Sequence, residues 1–461
     1  MRPRNDDARQ RLLTTLRRGP ASVSFLAKTL GVTARTVLRW LDEHPDVCAA
    51  GAASRTRYAL GRPLRGRLER HPLYCVDEQG GVVEMGSLTP VFPDGCLCSL
   101  HALAWPVGDA AREGWWEGLP YPLHDMRPQG FLGRGFARQQ STLLEISPDP
   151  RQWSDDDIVH ILTRTGWDTS GNLILGEAAL QQWQSERLDP RPAIAEAGQA
   201  AAYARLAHEA SAQGISGSSI GGEFPKFTAR RSLSGAKTEH VIVKFSGEIL
   251  PGATERWSDL LICEHLAALQ LARLPGLTSA STRIIQGAGR TFLEAERFDR
   301  LGRFGRQPLL SFAAINAHLL GLAAADWRAP LRQLAKLGYL SAADLEAGLR
   351  LCWFGKLIAN TDMHPGNLSF IPAAGHFRLA PAYDMLPMAY APLPGGEVPG
   401  IAPTFALPLP AEQAVWRDAC AAAIAFWQEA AEDARISATF RAICRANAER
   451  LTTLQQGSFA G

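Results

Sequence analysis

An aspartate, a histidine and two asparagines crowd the segment NTDMHPGN at residues 360–367, directly after the apolar run LCWFGKLIA. The residues that follow predict a short strand, a turn at PAAGH and a second strand that ends before Asp384. Because a hairpin returns its second strand alongside the first, we expect Asn367 and Asp384 at the same end, next to Asp362. Mg²⁺ prefers a few carboxylate or amide oxygens and completes its shell with phosphates and water. The pattern therefore predicts Asn367 and Asp384 as magnesium ligands, and Asp362 as the base that takes a proton from an acceptor hydroxyl.

The same segment also has a purely structural interpretation. A helix C-terminus followed by a turn rich in Asn and Asp explains Asn360 and Asp362. It does not explain their spacing to Asp384. His364 is expected to pack the loop rather than to act as a base.

Phosphoryl transfer also needs a phosphate-binding loop and a lysine earlier in the chain. The segment GISGSSIGGEFPKF, residues 214–227, offers backbone N–H groups to phosphates. The candidate contacts in this loop are Gly217, Ser218, Ser219, Gly221 and Gly222. In the strand VIVKFS that follows, Lys244 alternates with apolar residues and is predicted to bind the α- and β-phosphates. Glu264, the acid in the middle of the next predicted helix, either holds Lys244 in place or lies on a solvated helix face.

A further predicted strand, TFLEAERFDR at residues 291–300, follows that helix. Its end is expected to offer the backbone groups of Glu296 and Phe298 to an adenine ring. The order of Gly-rich loop, lysine strand, glutamate helix and this strand is the order of a kinase small lobe.

The N-terminal end of the chain is strongly basic. Residues 1–70 hold 15 Lys and Arg against 6 Asp and Glu, whereas the formal net charge of the whole chain is +2. A local excess of positive charge favours a polyanionic partner. Three short predicted helices occupy residues 9–44, with breaks at Gly19-Pro20 and Gly31, and Thr33 is the predicted N-cap of the third.

The pattern of these helices predicts a winged helix-turn-helix that binds duplex DNA. The residues expected to face inward are Phe25, Leu26, Leu30, Val37, Leu38 and Leu41. The outer face of the third helix then presents Arg35, Thr36 and Arg39, with Trp40 beside them. The segment CAAGAASRTRYALGRP reads as a wing with Arg55 and Arg57 near its tip. The alternative is a plain three-helix cap with a solvated basic surface.

Residues 70–190 are rich in predicted strands and turns. LYCVDE and VVEMGSLTPV flank a hairpin turn, and Ser154 is the predicted N-cap of a helix with an acidic first turn. No residue pattern in this part suggests chemistry.

The composition is that of an ordinary globular protein, with 46% hydrophobic and 20% charged residues. No stretch reaches the roughly 18 apolar residues of a membrane span, and the N-terminus lacks the apolar core of a signal peptide. The expected location is the cytoplasm, without a membrane partner. The eight cysteines are scattered and are expected to be free thiols rather than zinc ligands.

Several of these motifs together resemble the HipA-like Ser/Thr kinases, the toxin halves of bacterial type II toxin–antitoxin modules. The segments that carry the likeness are GGEFPK, VKF, CEHLA, ERFDR, NTDMHPGN and AYDMLP. The likeness spans residues 70–450, and an N-terminal helix-turn-helix on such a kinase is similar to the YjjJ (HipH) branch. It implies an α+β, two-lobed protein-kinase-like fold behind the N-terminal winged helix-turn-helix domain. The expected domains are 1–65 (DNA-binding), 70–190 (HipA-like N-terminal subdomain), 195–305 (small lobe) and 306–461 (helical large lobe).

The resemblance further implies ATP and Mg²⁺ as cofactors and a protein as the substrate, which in the best-known members is an aminoacyl-tRNA synthetase. Another translation factor is also compatible with the resemblance as the substrate. A separate antitoxin is compatible with it as a partner. One departure concerns regulation. The family's inhibitory autophosphorylated serine precedes a Gly-Ala type pair, and this chain has Gly221 there. Ser219 and Ser218 are then the hydroxyls left for autophosphorylation.

Two other functions remain open from the sequence. One is a transcription factor whose kinase-like part binds nucleotide as a sensor. Against it, the chain retains the four residues predicted for catalysis: Lys244, Asp362, Asn367 and Asp384. The other is a small-molecule kinase, because aminoglycoside and choline kinases share the spacing from Asp362 to Asn367.

Overall fold

Three helices and a small antiparallel sheet form the N-terminal part of the chain. The computed structural model describes residues 3–212, 224–232, 235–323 and 326–457. The first elements are α1 (Pro3–Leu16), β1 (Ala21–Ser22), α2 (Val23–Leu30), α3 (Ala34–Asp42), β2 (Val47–Ala50) and β3 (Arg57–Leu60). In the sheet, β3 lies between β1 and β2 and is antiparallel to both.

Local sequence sets the ends of α2 and α3. The Ser22 side chain accepts from the Phe25 N–H at the start of α2. Gly31 takes a φ of +67°, which the turn between the helices requires and which glycine adopts without strain. Thr33 then caps α3 as predicted, with its hydroxyl 3.3 Å from the Thr36 nitrogen.

The inner faces of α2 and α3 differ in part from the prediction. The residues buried as predicted are Leu26, Leu30, Val37 and Leu41. The prediction was wrong for Phe25 and Leu38, which are 55% and 45% exposed, and for Trp40, which is buried. A helix repeats every 3.6 residues, so Val37, Trp40 and Leu41 share one face and Leu38 lies beside it.

The next part is built on a five-stranded antiparallel sheet with strand order β7-β6-β5-β4-β8. Its elements are β4 (His71–Val76), β5 (Val82–Val91), β6 (Gly95–Cys98), β7 (Trp115–Trp116), α4 (Tyr121–Asp125), α5 (Gly130–Leu144), α6 (Asp155–Thr165), β8 (Leu173–Leu175) and α7 (Glu177–Leu188). The predicted hairpin is the pair β4 and β5. The predicted cap of α6 is a full capping box between Ser154 and Asp157.

Two arginines after β3 join the N-terminal part to α6. Arg62 Nη2 donates to Asp156 Oδ1 at 2.7 Å, and Arg65 Nη2 donates to Asp157 Oδ1 at 2.8 Å. Both acids lie in the first turn of α6, where negative charge also complements the helix dipole.

A four-stranded antiparallel sheet and one long buried helix carry the next part of the chain. The elements are α8 (Gln199–Ala212), β9 (Lys226–Arg230), β10 (His240–Phe245), α9 (Ala253–Leu271), β11 (Thr282–Gly287) and β12 (Arg290–Glu296). The strand order is β11-β12-β10-β9, and Lys244 on β10 is paired with Lys226 on β9. Directly opposite residues share one face of a sheet, so both lysines point the same way.

The remaining part is mostly helical and contains one three-stranded sheet. Its elements are β13 (Arg300–Leu301), β14 (Gly305–Arg306), β15 (Leu310–Ser311), α10 (Phe312–Ile315), a π-helix (Asn316–Leu320), α11 (Arg328–Lys336), α12 (Ala342–Leu357), β16 (Ser369–Ala373), β17 (His376–Leu379), α13 (Gln413–Glu432) and α14 (Ala438–Gly457). The predicted hairpin after the polar loop is β16 and β17. None of the helices in the described ranges is both long enough and apolar enough to cross a membrane.

One hydrophobic core runs from the middle of the chain into the C-terminal helices, with buried members from Leu64 to Leu451. The three N-terminal helices have a core of their own, which includes Leu12, Leu26 and Val37. Packing alone does not divide the chain at residues 190 or 305, and the predicted domain boundaries stay predictions.

Candidate active site

A cavity of about 810 Å³ lies between the four-stranded sheet and the helical part. Seven of the residues predicted from sequence line it, although they are spread over more than 100 positions: Lys244, Glu264, Glu296, Phe298, Asp362, Asn367 and Asp384. The fold therefore brings the predicted lysine, base, metal ligands and adenine-binding segment to one place.

Lys244 and Glu264 form a buried ion pair. β10 and α9 carry them, and the Lys244 Nζ lies 2.6 Å from Oε1 and 2.8 Å from Oε2 of Glu264. Burial opposes the charge on Lys244, but the carboxylates of Asp384 and Glu264 outweigh it and raise the pKa of the lysine. Lys244 is thus a fixed cation on the wall of the cavity.

Asp384 contacts the same lysine from the other side of the cavity. Its φ of +54° lies in the left-handed region, which few residues other than glycine adopt. Such backbone strain is concentrated at functional sites. Burial raises the pKa of Asp384, yet Lys244 and Lys226 reverse this, so the pKa lies below its ordinary value and the carboxylate is charged.

Two asparagine side chains hold the loop between α12 and β16 in shape. The Asn360 Oδ1 accepts from the Asp362 N–H at 3.0 Å, and the Asn367 Nδ2 donates to the Asp362 carbonyl at 2.8 Å. Asn360 Nδ2 also reaches the Asp384 carbonyl at 3.4 Å. These bonds fix the backbone of Asp362 while its side chain, 43% exposed, faces the cavity.

His364 was expected to pack the loop, and its side chain is 57% exposed and lines the cavity, with Nε2 3.9 Å from Asp362 Oδ1. Its Nδ1 accepts from the Gly366 N–H at 3.0 Å and so caps the short 3-10 helix Pro365–Asn367. Tyr383, adjacent to Asp384, bonds the same turn through its hydroxyl, 2.8 Å from the Gly366 carbonyl. The turn that carries Asn367 is therefore anchored on two sides.

The side chains of Asn367 and Asp384 fit a hard divalent cation. The amide nitrogen of Asn367 is used on the Asp362 carbonyl, which leaves its oxygen as the atom for a ligand. Together with the charged Asp384 it would supply two oxygen donors. Mg²⁺ commonly takes one or two protein ligands and shares the rest with phosphates and water. Among the described residues no group of three or more His, Cys, Asp or Glu could hold a metal by itself.

Glu296 and Phe298 line the cavity at the end of β12, beside Ile242 and Ala295. Part of their backbone is already bonded. The Glu296 N–H donates to the Ser281 carbonyl at 2.9 Å, and the Phe298 carbonyl accepts from the Gln307 side chain. An adenine ring could form hydrogen bonds only with those backbone groups of Glu296 and Phe298 that have no partner in these bonds.

Five of the predicted phosphate contacts, Gly217, Ser218, Ser219, Gly221 and Gly222, lie outside the described residues. This includes both candidate autophosphorylation sites.

Several residues that line the cavity were not predicted from the sequence. Lys226 lines it beside Lys244, and only the strand register reveals this. The middle of the chain contributes Asp125 to Gly130 and Asp168 to Ser170, although its sequence suggested no chemistry. The segments LPYPLHDMRPQG and GWDTSGNL, which contain the residues from the middle of the chain, resemble the N-terminal subdomain of the HipA family, but their place at the cavity depends on long-range packing.

The predicted DNA contacts lie on the N-terminal part. Arg35, Arg39, Arg55 and Arg57 are exposed, and Thr36 is half-buried. Arg35, Thr36 and Arg39 occupy neighbouring positions of α3, so they share one side of the helix. Arg55 pairs with Glu113, with its Nε 3.4 Å from Oε1.

Comparison with known proteins gives two family matches. The family described as YjjJ-like toxin, middle domain, matches residues 67–184, and the HipA-like C-terminal domain matches residues 218–452. The curated protein Toxin YjjJ of Escherichia coli K12 is 36% identical over 450 residues, which are 96% of this chain and 98% of that protein.

Among solved structures, HipA of Shewanella oneidensis, determined with HipB and its operator DNA, matches with a TM-score of 0.50. It is 14% identical and the match covers 84% of this chain and 95% of that chain, so the likeness concerns the fold. The Helicobacter pylori proinflammatory kinase CtkA matches with a TM-score of 0.35 and 12% identity, over 50% of this chain and 88% of that chain.

Proposed function

This chain belongs to the family of YjjJ-like, HipA-related toxins, and from that premise we propose that it is an ATP-dependent Ser/Thr protein kinase that inhibits growth. The observation that supports this best is the convergence of Lys244, Glu264, Asp362, Asn367 and Asp384 on one cavity. A carboxylate clamp on a lysine, a base on a fixed loop and two oxygen ligands nearby are the parts that phosphoryl transfer needs.

Each residue has a separate task in this proposal. Lys244 binds the α- and β-phosphates of ATP, and Glu264 holds the ammonium group in position. Phe298 and the remaining backbone groups near Glu296 receive the adenine ring. The glycine-rich loop, through Gly217 to Gly222, covers the phosphates.

Asn367 and Asp384 would hold Mg²⁺, which when bound neutralises charge on the phosphate oxygens. Asp362 accepts the proton of the acceptor hydroxyl as that oxygen attacks the γ-phosphorus, and the bond from this phosphorus to the bridging oxygen of the β-phosphate breaks, so that ADP leaves. Positioning and electrostatic stabilisation supply most of the catalysis in such a site. The two asparagine bonds to the Asp362 backbone serve this positioning, since they fix the base before the acceptor arrives.

The acceptor is proposed to be a protein. The family resemblance points to an aminoacyl-tRNA synthetase or another translation factor, and to action in the cytoplasm. A separate antitoxin is a further proposed partner. Autophosphorylation of Ser219 or Ser218 would add about −1.5 to −2 charges beside the ATP phosphates and so limit the activity.

The N-terminal part is proposed to be a winged helix-turn-helix domain that binds duplex DNA. Its support is the capped α2–α3 pair, the hairpin of β2 and β3, and four exposed arginines. Arg35, Thr36 and Arg39 would enter the major groove, and Arg55 and Arg57 would contact phosphates from the wing. Binding at its own promoter would let the toxin regulate its operon without a separate DNA-binding protein.

The test is a reaction of the full chain with ATP labelled at the γ-phosphate and a bacterial lysate. We expect labelled proteins in which Ser or Thr carries the phosphate. Label confined to metabolites would instead identify a small-molecule kinase. Nucleotide binding without any transfer would identify a sensor.

A further inference from the structure

A turn from the middle of the chain forms part of the cavity wall. It follows α4 and contributes Asp125, Arg127 and Gln129 to the lining. Asp125 anchors it, because its carboxylate accepts from the Ser311 N–H at 2.6 Å and from the Ser311 hydroxyl at 2.5 Å.

Ser311 connects this turn to the loop between α12 and β16, which carries Asp362 and Asn367. Its hydroxyl caps α10 by accepting from the Ala314 N–H at 3.2 Å, and α10 packs against the 3-10 helix that carries Asn367. The neighbouring Phe312 N–H donates to the Leu368 carbonyl at 2.8 Å. The turn therefore keeps a fixed position relative to the predicted base and metal ligands.

Arg127 is a cation of this turn whose charge acts on Asp125 without forming an ion pair with it. Among the described residues no Asp or Glu oxygen lies within ion-pair distance of its guanidinium, whereas Arg297 on another wall pairs with both Asp168 and Asp299. Its neighbour is His124, 3.1 Å from Nη1. Burial, and next the charge of Arg127, lower the pKa of His124, so the neutral imidazole accepts from the guanidinium and orients it.

A partly buried guanidinium that faces a cavity attracts an anion, and its planar donors match a carboxylate or a phosphate. In the proposed function the nucleotide phosphates would face Lys244, which is paired with Lys226 on the four-stranded sheet. Arg127 lines the cavity on the segment that also carries Phe136 and Leu132, an apolar side chain that is 38% exposed. Because Asp125 and Ser311 tie this segment to the elements that carry Asn367, we place the acceptor segment along it when its hydroxyl approaches Asp362.

We propose that Arg127 selects the acceptor by binding an acidic side chain next to the phosphorylated Ser or Thr. The inference rests on the proposed kinase activity and makes it more specific: the substrate carries Asp or Glu close to its acceptor hydroxyl. Arg127 is in this view a specificity-determining residue.

The experiment uses the full chain, labelled ATP and a phosphatase-treated peptide digest of a bacterial lysate, with the phosphorylated sites mapped by mass spectrometry. A hydrogen-bonded charge is worth about 1.5–3 kcal/mol, so we expect the wild type to favour acidic over basic neighbours by roughly tenfold or more. Arg127→Glu should reverse this preference while leaving the KM for ATP within about twofold. Arg138→Glu, a charge reversal at an exposed position of α5 outside the cavity lining, should change neither quantity.

An unchanged preference in Arg127→Glu overturns the inference, and so does a raised KM for ATP with the preference intact, which would assign Arg127 to the γ-phosphate. Phosphorylation of intact proteins but of no peptide also overturns it, because a contact beside the acceptor hydroxyl does not need a folded acceptor. Absence of transfer to peptides, to intact lysate proteins and to the chain itself is a different result. It would overturn the kinase function, and the inference with it.

Discussion

The ammonium group of Lys244 lies within 2.8 Å of both carboxylate oxygens of Glu264 and also contacts the carboxylate of Asp384. Lys244 and Glu264 are buried, and removal of one member of a buried charge pair leaves the other uncompensated. The three residues come from β10, from α9 and from the segment after β17. Their contact thus connects the sheet that would hold the nucleotide to the segment that would hold the metal.

Replacement of Lys244 by Met should weaken the use of ATP. We expect kcat/KM for ATP to fall by about 10²-fold or more, the effect typical of losing one charge-stabilising donor. Glu264→Gln keeps the shape of the pair and should cause a smaller loss. Initial rates over a range of ATP concentrations measure both effects, with Lys336→Met on the exposed side of α11 as the control. Normal nucleotide affinity and turnover in Lys244→Met would remove this lysine from the site.

Removal of Asp168 should destabilise the fold. Its Oδ1 lies 3.0 Å from Arg297 Nη1 and 2.9 Å from Arg300 Nη2, and both arginines are buried. Asp168→Ala leaves them without this partner, and we expect a loss of about 3 kcal/mol in the free energy of unfolding. Asp109→Ala removes a pair at an exposed carboxylate and should cost less than about 0.5 kcal/mol. Denaturant titrations of both variants give the comparison, and equal midpoints would contradict the structural role of Asp168.

Acid should destabilise the protein through His240. Burial lowers the pKa of His240 to about 4, below the value of about 6.5 in an unfolded chain. Between these values the unfolded state binds more protons than the folded state, so stability falls as the pH is lowered from 6.5 to 4. The loss is at most about 3 kcal/mol. The difference between the unfolding midpoints at pH 7.5 and pH 4.5 should be smaller in His240→Gln than in the wild type. An equal difference would show that His240 does not carry this dependence.

The four arginines predicted to contact DNA in the N-terminal part should determine its DNA affinity. A phosphate contact contributes roughly 0.9 to the slope of log K against log salt concentration. We therefore expect replacement of Arg35, Arg39, Arg55 and Arg57 by Ala to weaken binding of the chain's own promoter DNA and to flatten this slope. Arg205→Ala, on the exposed side of α8, should have no effect. A wild-type chain that does not bind this DNA at low salt, or binds it independently of salt, would contradict the proposed function of this part.

The order of motifs along the chain was enough to predict most of the candidate site. A hairpin must return Asp384 to the end where Asn367 begins, and β16 and β17 do so. Alternation along β10 likewise predicted that Lys244 faces the cavity. These predictions succeed because they depend on local geometry, in which the chain has few conformations to choose from.

Residues supplied by distant packing could not be predicted in the same way. Arg127 and Asp168 reach the cavity only because the five-stranded sheet and its helices dock against the four-stranded sheet and the helical part of the chain. Lys226 required knowledge of the register between β9 and β10. The errors at Phe25 and Leu38 have a simpler origin: a helix of eight or nine residues has too few turns for its inner face to be read reliably from apolar residues alone.

Asp362 is the proposed base of the phosphoryl transfer, and the transfer of labelled γ-phosphate to protein by Asp362→Asn measures this role. The side chain is partly exposed and in a cavity, so the variant should keep the wild-type unfolding midpoint and bind ATP. We expect its rate of transfer to fall by about 10²- to 10⁴-fold, the usual contribution of a positioned base. Transfer at the wild-type rate by the folded variant would contradict the account.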